Sequence, residues 1–440
     1  MPRPVPACRQ TGAGSLTSCV RTNRPSIDDF PLWLDVYLAK FIFVSLLRVK
    51  WVCFFGLCLH PKFVMISSTF SSELGGPMSE RKEKKPGIGK LETSILADLI
   101  KKYTILDPQI VIGPDIGEDA AVIDLGPGTD DLWVVTTDPI TFTTEEIGYY
   151  GVVVNLNDIA TRGAIPKWFM ATLLFPEGTS LKSIEEVFRQ IHEACRHFGI
   201  SFIGGHTEIT SGIKKLILSG QMIGVVKKDR LVTTGGARAG DLVVLVKGVC
   251  IEGTSIMARE KESELLSKGI APSLIQRAKA FISDPGIEVL RVARIACDHA
   301  TVHSMHDPTE GGLINGIVEM ALASKKEIEI DLNKVPVYEE SRILCEQFGL
   351  DPLGVIASGA LLLSISPSDH PAIQRAFQEA SIPIQVIGEV REGVARVLAR
   401  DGKQVKELEP FTRDEILKIF QQKNGMMEEE GRSNGIERMK

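Results

Sequence analysis

Gly113-Pro114-Asp115-Ile116-Gly117-Glu118-Asp119-Ala120-Ala121-Val122 begins as a turn and ends as the start of a strand. Gly, Pro and Asp crowd its first half, as a tight turn requires, and the apolar residues that follow lead away from it. The next apolar run, residues 132–135, closes on Thr136-Thr137-Asp138. Asp119 and Asp138 therefore both fall at strand ends that can lie side by side. Two readings fit these residues. Neighbouring carboxylates suit a hard cation such as Mg²⁺, which takes oxygen ligands from a few carboxylates and from phosphates. Two solvated acidic turns would use the same residues.

Polar clusters return further along, each at the end of a regular element. Residues 147–163 read as a helix with Val152, Leu156 and Ile159 on one face, while Asn155 and Asp158, three apart, share another. At Gly204-Gly205-His206-Thr207-Glu208 the strand over residues 200–203 is expected to break into a turn bearing an imidazole and a carboxylate. His306-Asp307-Pro308-Thr309-Glu310-Gly311-Gly312 forms a last polar turn before a helix over residues 313–322.

Gly-Glu-Asp-Ala-Ala-Val, Thr-Thr-Asp, Asn-Asp-Ile-Ala-x-x-Gly-Ala-x-Pro (residues 157–166), Gly-Gly-His-Thr-Glu and His-Asp-Pro-Thr-Glu-Gly-Gly-Leu occur here in one order. In that order they resemble the aminoimidazole ribonucleotide (AIR) synthase superfamily, over about residues 87–392. Its members include AIR synthase, formylglycinamide ribonucleotide amidotransferase, thiamine-monophosphate kinase, selenophosphate synthetase and the hydrogenase-maturation protein HypE. The resemblance implies a two-domain PurM-like α/β (α+β) fold. An N-terminal ATP-binding domain over residues 91–228 would carry a mixed sheet that pairs with a second copy into a dimer barrel. An α/β sandwich domain would follow over residues 229–395, and a strand, helix and polar tail over residues 396–440.

The same resemblance implies ATP and Mg²⁺ as cofactors. Asp119, Asp138, Asp158 and Glu208 would hold the metal and, through it, the nucleotide. Lys90, Gly117, Asn155, Gly204, Gly205, Glu310, Gly311 and Gly312 would complete the nucleotide site, with the glycine-containing arm at residues 78–90 folding over it. His206, Asn155, His306 and Asp307 would take the catalytic or substrate-facing roles, His206 either as an acid or as a filler where relatives place Asp. The implied reaction is phosphoryl transfer that activates an oxygen of a small-molecule or acyl/carbamoyl substrate, in a cytoplasmic homodimer with a maturation partner protein.

Among the members, HypE is most similar in the Asn-Asp-Ile-Ala, His-Asp-Pro-Thr and Gly349-Leu350-Asp351-Pro352-Leu353 segments. HypE carries its carbamoyl group on a C-terminal cysteine, whereas the last cysteine here is Cys345 and the final residues are Ile436-Glu437-Arg438-Met439-Lys440. A kinase like that for thiamine monophosphate is the alternative, as is a nucleotide-binding scaffold without turnover.

Composition narrows the field further. Residues 1–77 hold eight Lys/Arg against four Asp/Glu, which leaves 42 against 52 in the remainder, a net −10. An acidic body disfavours nucleic acid, which selects basic surfaces. The apolar run over residues 41–59 is interrupted by Arg48 and Lys50, which are costly at the centre of a spanning helix. Residues 1–77 are therefore expected to be a leader outside the folded protein, with Met78 as the start; a membrane anchor is the alternative. The eight cysteines include no Cys-x-x-Cys pair, as in a reduced compartment. His299, His303 and His306 invite a zinc reading, but strand alternation would send His303 and His306 to opposite faces. Thr254 is expected to cap a helix whose N-terminus could hold an anion, and Ile95, Leu96, Leu99 and Ile100 to form the buried side of a helix over residues 91–103.

Overall fold

The computed structural model describes residues 89–420 apart from 106, 142, 144 and 403. The expected leader, most of the arm and the polar tail lie outside the described residues. The described residues belong to one compact unit built around two sheets.

The first part of the chain runs α1 (Thr93–Tyr103), β1 (Ile110–Ile112), β2 (Ala121–Asp124), β3 (Asp131–Ile140), α2 (Ile147–Thr161), β4 (Ile165–Pro176), α3 (Leu181–Phe198), β5 (Ser201–Thr210) and β6 (Ile217–Lys227). Its six strands form one mixed sheet in the order β1-β2-β3-β6-β4-β5, with β4 and β5 parallel and the other neighbours antiparallel. Helix α2 lies against this sheet and is buried almost all round, including Asn155, Asn157 and Asp158. Glycine permits the close approach: a Cβ on Gly151 would sit 2.4 Å from Leu218 Cδ2, and one on Gly220 2.4 Å from Asn155 Nδ2. The register pairs Gly220 with Asp138, so the contact that seats the helix also brings Asn155 to Asp138. On the other face, half-exposed Trp133 and Trp168 stand 6.0 Å apart beside the partly covered β4 and β6 side chains.

The second part runs β7 (Leu242–Val246), α4 (Ile251–Glu260), α5 (Glu262–Ser267), α6 (Pro272–Ala280), α7 (Leu290–His299), β8 (Val302–His306), α8 (Gly312–Ser324), β9 (Glu327–Asp331), α9 (Glu339–Phe348), β10 (Leu361–Ile365), α10 (His370–Glu379), β11 (Ile384–Arg391), β12 (Arg396–Asp401) and β13 (Gln404–Glu407). Its sheet has the order β13-β12-β9-β11-β7-β10-β8. Both faces are covered. Val243, Leu245 and Leu362 join the core with Met257, Ile317 and Leu344, while Val244, Val246 and Leu363 pack with Val292, Ala296 and Phe377. Alternation along each strand divides these residues between two helical layers, which is the sandwich expected for this part. The mixed α/β fold with two sheets agrees with the reading from sequence.

Several local expectations are corrected. The strand expected to end at Asp138 continues to Ile140, because the antiparallel pairing with β6 runs on through Ile140↔Leu218. Gly204 to Glu208 is not a turn but the middle of β5. Gly204 and Gly205 take φ near 141° and 142°, and the β4–β5 register shifts between Phe169 and Met170. A Cβ on Gly205 would fall 1.9 Å from Ala171 O, so the glycines allow a bulge within the strand instead of ending it. Helix α4 starts at Ile251 behind Cys250, which has φ 61°. Thr254 lies inside that helix and donates its hydroxyl to Cys250 O at 2.6 Å. Of the expected buried side of α1, Ile95, Leu99 and Ile100 are half-buried and Leu96 is exposed.

Two buried polar side chains join the two parts. Asn157 donates Nδ2 to Ile287 O and accepts from Val289 N through Oδ1, both at 2.9 Å. Arg162, just past the end of α2, has no exposed surface and donates Nη1 to Thr234 Oγ1 at 2.8 Å.

Candidate active site

The turn between β1 and β2 meets the end of β8 and the start of α8 across this junction. Asp119 reaches His306 Nδ1 at 3.0 Å, and Glu319 takes the other ring nitrogen at 2.9 Å. Arg162 Nη2 faces Glu118 at 3.1 Å and Asp119 at 3.6 Å. Burial works against charge at Asp119, but His306 and Arg162 outweigh it and hold the carboxyl at about 2. Burial likewise opposes the charge of His306, yet its two carboxylate neighbours raise it to about 10. His306 is thus an imidazolium, hydrogen-bonded to Glu319 through Nε2 and ion-paired with Asp119 at Nδ1, and it bridges the acidic turn of the first part to α8 of the second.

Three further carboxyls gather here. Asp158 is buried and accepts from Thr136 Oγ1 at 2.6 Å. Asp138 lines the same cavity as Asp119 and Asp158. Asp307 is buried beside Asp119 and His306, with one donor atom of each within 4.8 Å of the others. Neither oxygen of Asp307 has a hydrogen-bond partner among the described residues. Burial pushes Asp138 upward against a hydrogen bond with Asp158 and the charge of Lys90, while burial and then the repulsion of neighbouring aspartates push Asp158 well upward and Asp307 up to about 8. Carboxyls that raise one another's pKa while one keeps both oxygens unpaired form an oxygen-donor set short of positive charge. Such a set fits a hard divalent cation; His306, kept protonated by Asp119 and Glu319, is not a free ligand.

Other expected residues take different places. Asn155 is fully buried: its Oδ1 accepts from Asp138 N at 3.0 Å and its Nδ2 donates to Gly151 O at 2.9 Å. It positions Asp138 and points no free group outward. Gly311 N donates to Asp414 Oδ2 at 2.7 Å and Gly312 N to Thr309 O at 3.0 Å. In the first turn of α4, Gly253 N is likewise taken by Ile356 O at 3.1 Å, so these three N–H groups are not open to an anion. Lys90 Nζ lies 2.9 Å from Glu310 at the rim. His206 and Glu208 are 3.0 Å from each other and exposed. They stand on edge strand β5, separated from β3 and Asp138 by β4 and β6, so one chain does not bring them to the aspartates. His303 pairs with Asp241 at 2.9 Å, away from His306, as alternation requires.

A cleft of about 650 Å³ opens beside the cluster, between Lys90, Gly117 and Asp119 on one side and Glu310, Asn315 and Phe411 on another. Gly117 has φ 82°, and a Cβ there would come within 3.1 Å of Glu319 O, so a larger residue would disturb the turn that carries Asp119. The sequence reading overlooked Arg162, Glu319 and Glu252. Arg162 had a legible signal, an arginine directly after an otherwise buried helix. Glu319 and Glu252 had none, because each reaches the site from a separate element.

Two sequence models of AIR synthase related proteins match the chain, the N-terminal domain over residues 117–226 and the C-terminal domain over residues 238–400. The chain belongs to the AIR synthase related family. Within it, the chain is 27% identical over 292 residues to a putative hydrogenase expression/formation protein of Methanocaldococcus jannaschii, covering 64% of this chain and 81% of that protein. It is also 27% identical over 285 residues to the carbamoyl dehydratase HypE of Rhizobium leguminosarum, covering 64% and 76%. A crystal structure of HypE in complex with ATP superposes with a TM-score of 0.56 at 24% identity, over 69% of this chain and 92% of that one. That likeness speaks to the fold.

Proposed function

We propose that this protein is an ATP- and Mg²⁺-dependent enzyme of the HypE type, which activates an oxygen of a small acyl or carbamoyl substrate by phosphoryl transfer. The observation that carries the reading is the convergence of Asp119, Asp138, Asp158 and Asp307, with the oxygens of Asp307 unpartnered, beside a cleft of about 650 Å³. Those four carboxyls would hold Mg²⁺. Bound Mg-ATP supplies a transferable phosphoryl group with its charge partly neutralised. The chain's own residues prepare the site. Asn155 fixes the backbone of Asp138, Thr136 orients Asp158, and Arg162 with His306 keeps Asp119 ionised. Lys90 stands at the rim of the cleft, where its ammonium can meet a phosphate once it leaves Glu310.

A homodimer belongs to the same reading, supported by the half-exposed apolar face around Trp133 and Trp168. A maturation partner protein and a cytoplasmic setting also belong to it. Among the described residues no helix is long and apolar enough to cross a membrane.

Calorimetry with and without chelator tests the metal. Asp119→Asn and Asp138→Asn each remove one charge while keeping shape, so each is expected to weaken Mg-ATP binding by about tenfold or more and metal-free ATP far less. Asp124→Asn is the control, since Asp124 pairs with Lys228 on the same sheet away from the cleft. Unchanged Mg-ATP affinity in both motif variants would reduce the acidic turns to surface turns.

A further inference from the structure

A hollow of about 300 Å³ lies where the end of α2 and the start of β4 meet α7. It shares no lining residue with the large cleft or with the cavity of Asp119, Asp138 and Asp158. Its volume is at the small end of the range for ligand sites. Small residues make the space: Ala160, Gly163 and Ala164 at and just past the end of α2, and Ala293 on α7. The surface around them is apolar, with Ile165 47% exposed and Leu290 and Cys297 half-buried. Leu290, Ala293, Arg294 and Cys297 fall at the spacing of one helical face, so α7 turns a single face to the hollow.

Six charged side chains line it, Lys167, Lys227, Arg230 and Arg294 against Asp131 and Asp298. Each carboxylate already has its cation: Asp131 pairs with Lys227 at 2.7 Å and Asp298 with Arg230 at 2.9 Å. Lys167 on β4 and Arg294 on α7 are exposed and have no hydrogen bond or ion pair among the described residues. Two cations are thus in excess here, although residues 78–440 as a whole carry a net −10. An anion is drawn to such a place, and hydrocarbon gains by covering Ile165 and Leu290. One ligand that carries both properties satisfies the whole hollow.

We propose that this hollow is a binding site for a small carboxylate with a short apolar chain, separate from the catalytic cleft. The carboxylate meets Lys167 from the first part of the chain and Arg294 from the second, while the chain lies along Ile165, Leu290 and Cys297. Such a ligand ties β4 to α7 and adds to the junction that Asn157 and Arg162 already hold. Because it binds the folded protein alone, its presence raises the melting temperature in proportion to its occupancy.

Hexanoate, 1-hexanol and inorganic phosphate separate charge from chain: the first has both, the second only the chain and the third only the charge. Each is titrated into the full chain at low salt and followed by ligand-observed NMR. Hexanoate is expected to bind about tenfold more tightly than either of the others and to raise the melting temperature. Replacing Lys167→Gln together with Arg294→Gln removes two side chains that hold no partner, so the fold should be kept and hexanoate should fall to the level of hexanol. Thermal melting without ligand checks the fold; if the double variant does not fold, each single variant decides, with an expected loss of about threefold. Hexanol binding the native protein as tightly as hexanoate would overturn the role of the cations, and phosphate doing so would overturn that of the apolar surface. A preference for hexanoate that survives in the variants would move the site elsewhere and overturn the proposal.

Discussion

Replacing Arg162 by Met removes the one cation among the described residues that touches both carboxylates of the Glu118-Asp119 pair, at 3.1 and 3.6 Å, from a position with no exposed surface. Met fills much of the same volume, so the cavity contribution is small and the electrostatic one dominates. Glu118 Oε2 is buried without a hydrogen bond in the native protein and would lose its ion-pair partner as well. Asp119 would keep His306 at 3.0 Å, which moderates the effect. The bond to Thr234 at 2.8 Å, one of the ties between the two parts, is lost too. Breaking one side of a buried ion pair costs about 3–5 kcal/mol. With His306 in place the lower end is expected, about 3 kcal/mol, which corresponds to roughly 4 °C in melting temperature for a body of this size. Thermal melting followed by tryptophan fluorescence measures it. Mg²⁺ should stabilise Arg162→Met more than the native protein, since the cation replaces the missing charge near Asp119. Adding Glu118→Gln to the variant should recover about 1 kcal/mol or more, by removing the stranded carboxylate. A loss below about 1 kcal/mol, or no recovery in the double variant, would refute the account of Arg162 as a buried counter-charge.

Two other expectations follow from the packing. Lys247 is buried, and its Nζ donates to Gly286 O and Glu288 O, each at 2.8 Å; burial lowers it to about 8. The unfolded chain therefore binds more protons than the folded protein between about pH 8 and 10.5, so native stability should rise with pH across that window relative to Lys247→Met, by at most about 3 kcal/mol. Denaturant unfolding of both proteins at matched pH values checks this, and parallel curves would contradict it. Trp168→Glu places a charge on the half-exposed face where Trp168 meets Trp133 at 6.0 Å. Light scattering at micromolar concentration should show the native protein as a dimer and the variant shifted to monomer; a monomeric native protein would remove the dimer from the reading.

The sequence alone was enough for the acidic turn before β2, the apolar strands β2 and β3 that follow it, and the helix over α2. These are local properties: turn residues, a period of 3.6 and a period of 2 are written in neighbouring positions. It also separated His303 from His306, for the same reason of alternation. What happens at Gly204-Gly205 depended instead on the neighbouring strand, because glycines can end a strand or bulge within it, and close approach to Ala171 selects the bulge. Asn155 read as a substrate-facing amide, yet Gly220 on β6 brings it against the backbone of Asp138. Gly311 and Gly312 are implied as part of the nucleotide site, yet Asp414, about a hundred residues away, claims the N–H of Gly311. Arg162, Glu319 and Glu252 acquire their roles only where the two parts of the chain meet, since an ion pair or a shared cavity depends on distances that residue spacing along one element does not contain. Local chemistry thus named the acidic turns, and tertiary packing decided which side chains around them are engaged with one another and which remain open for a ligand.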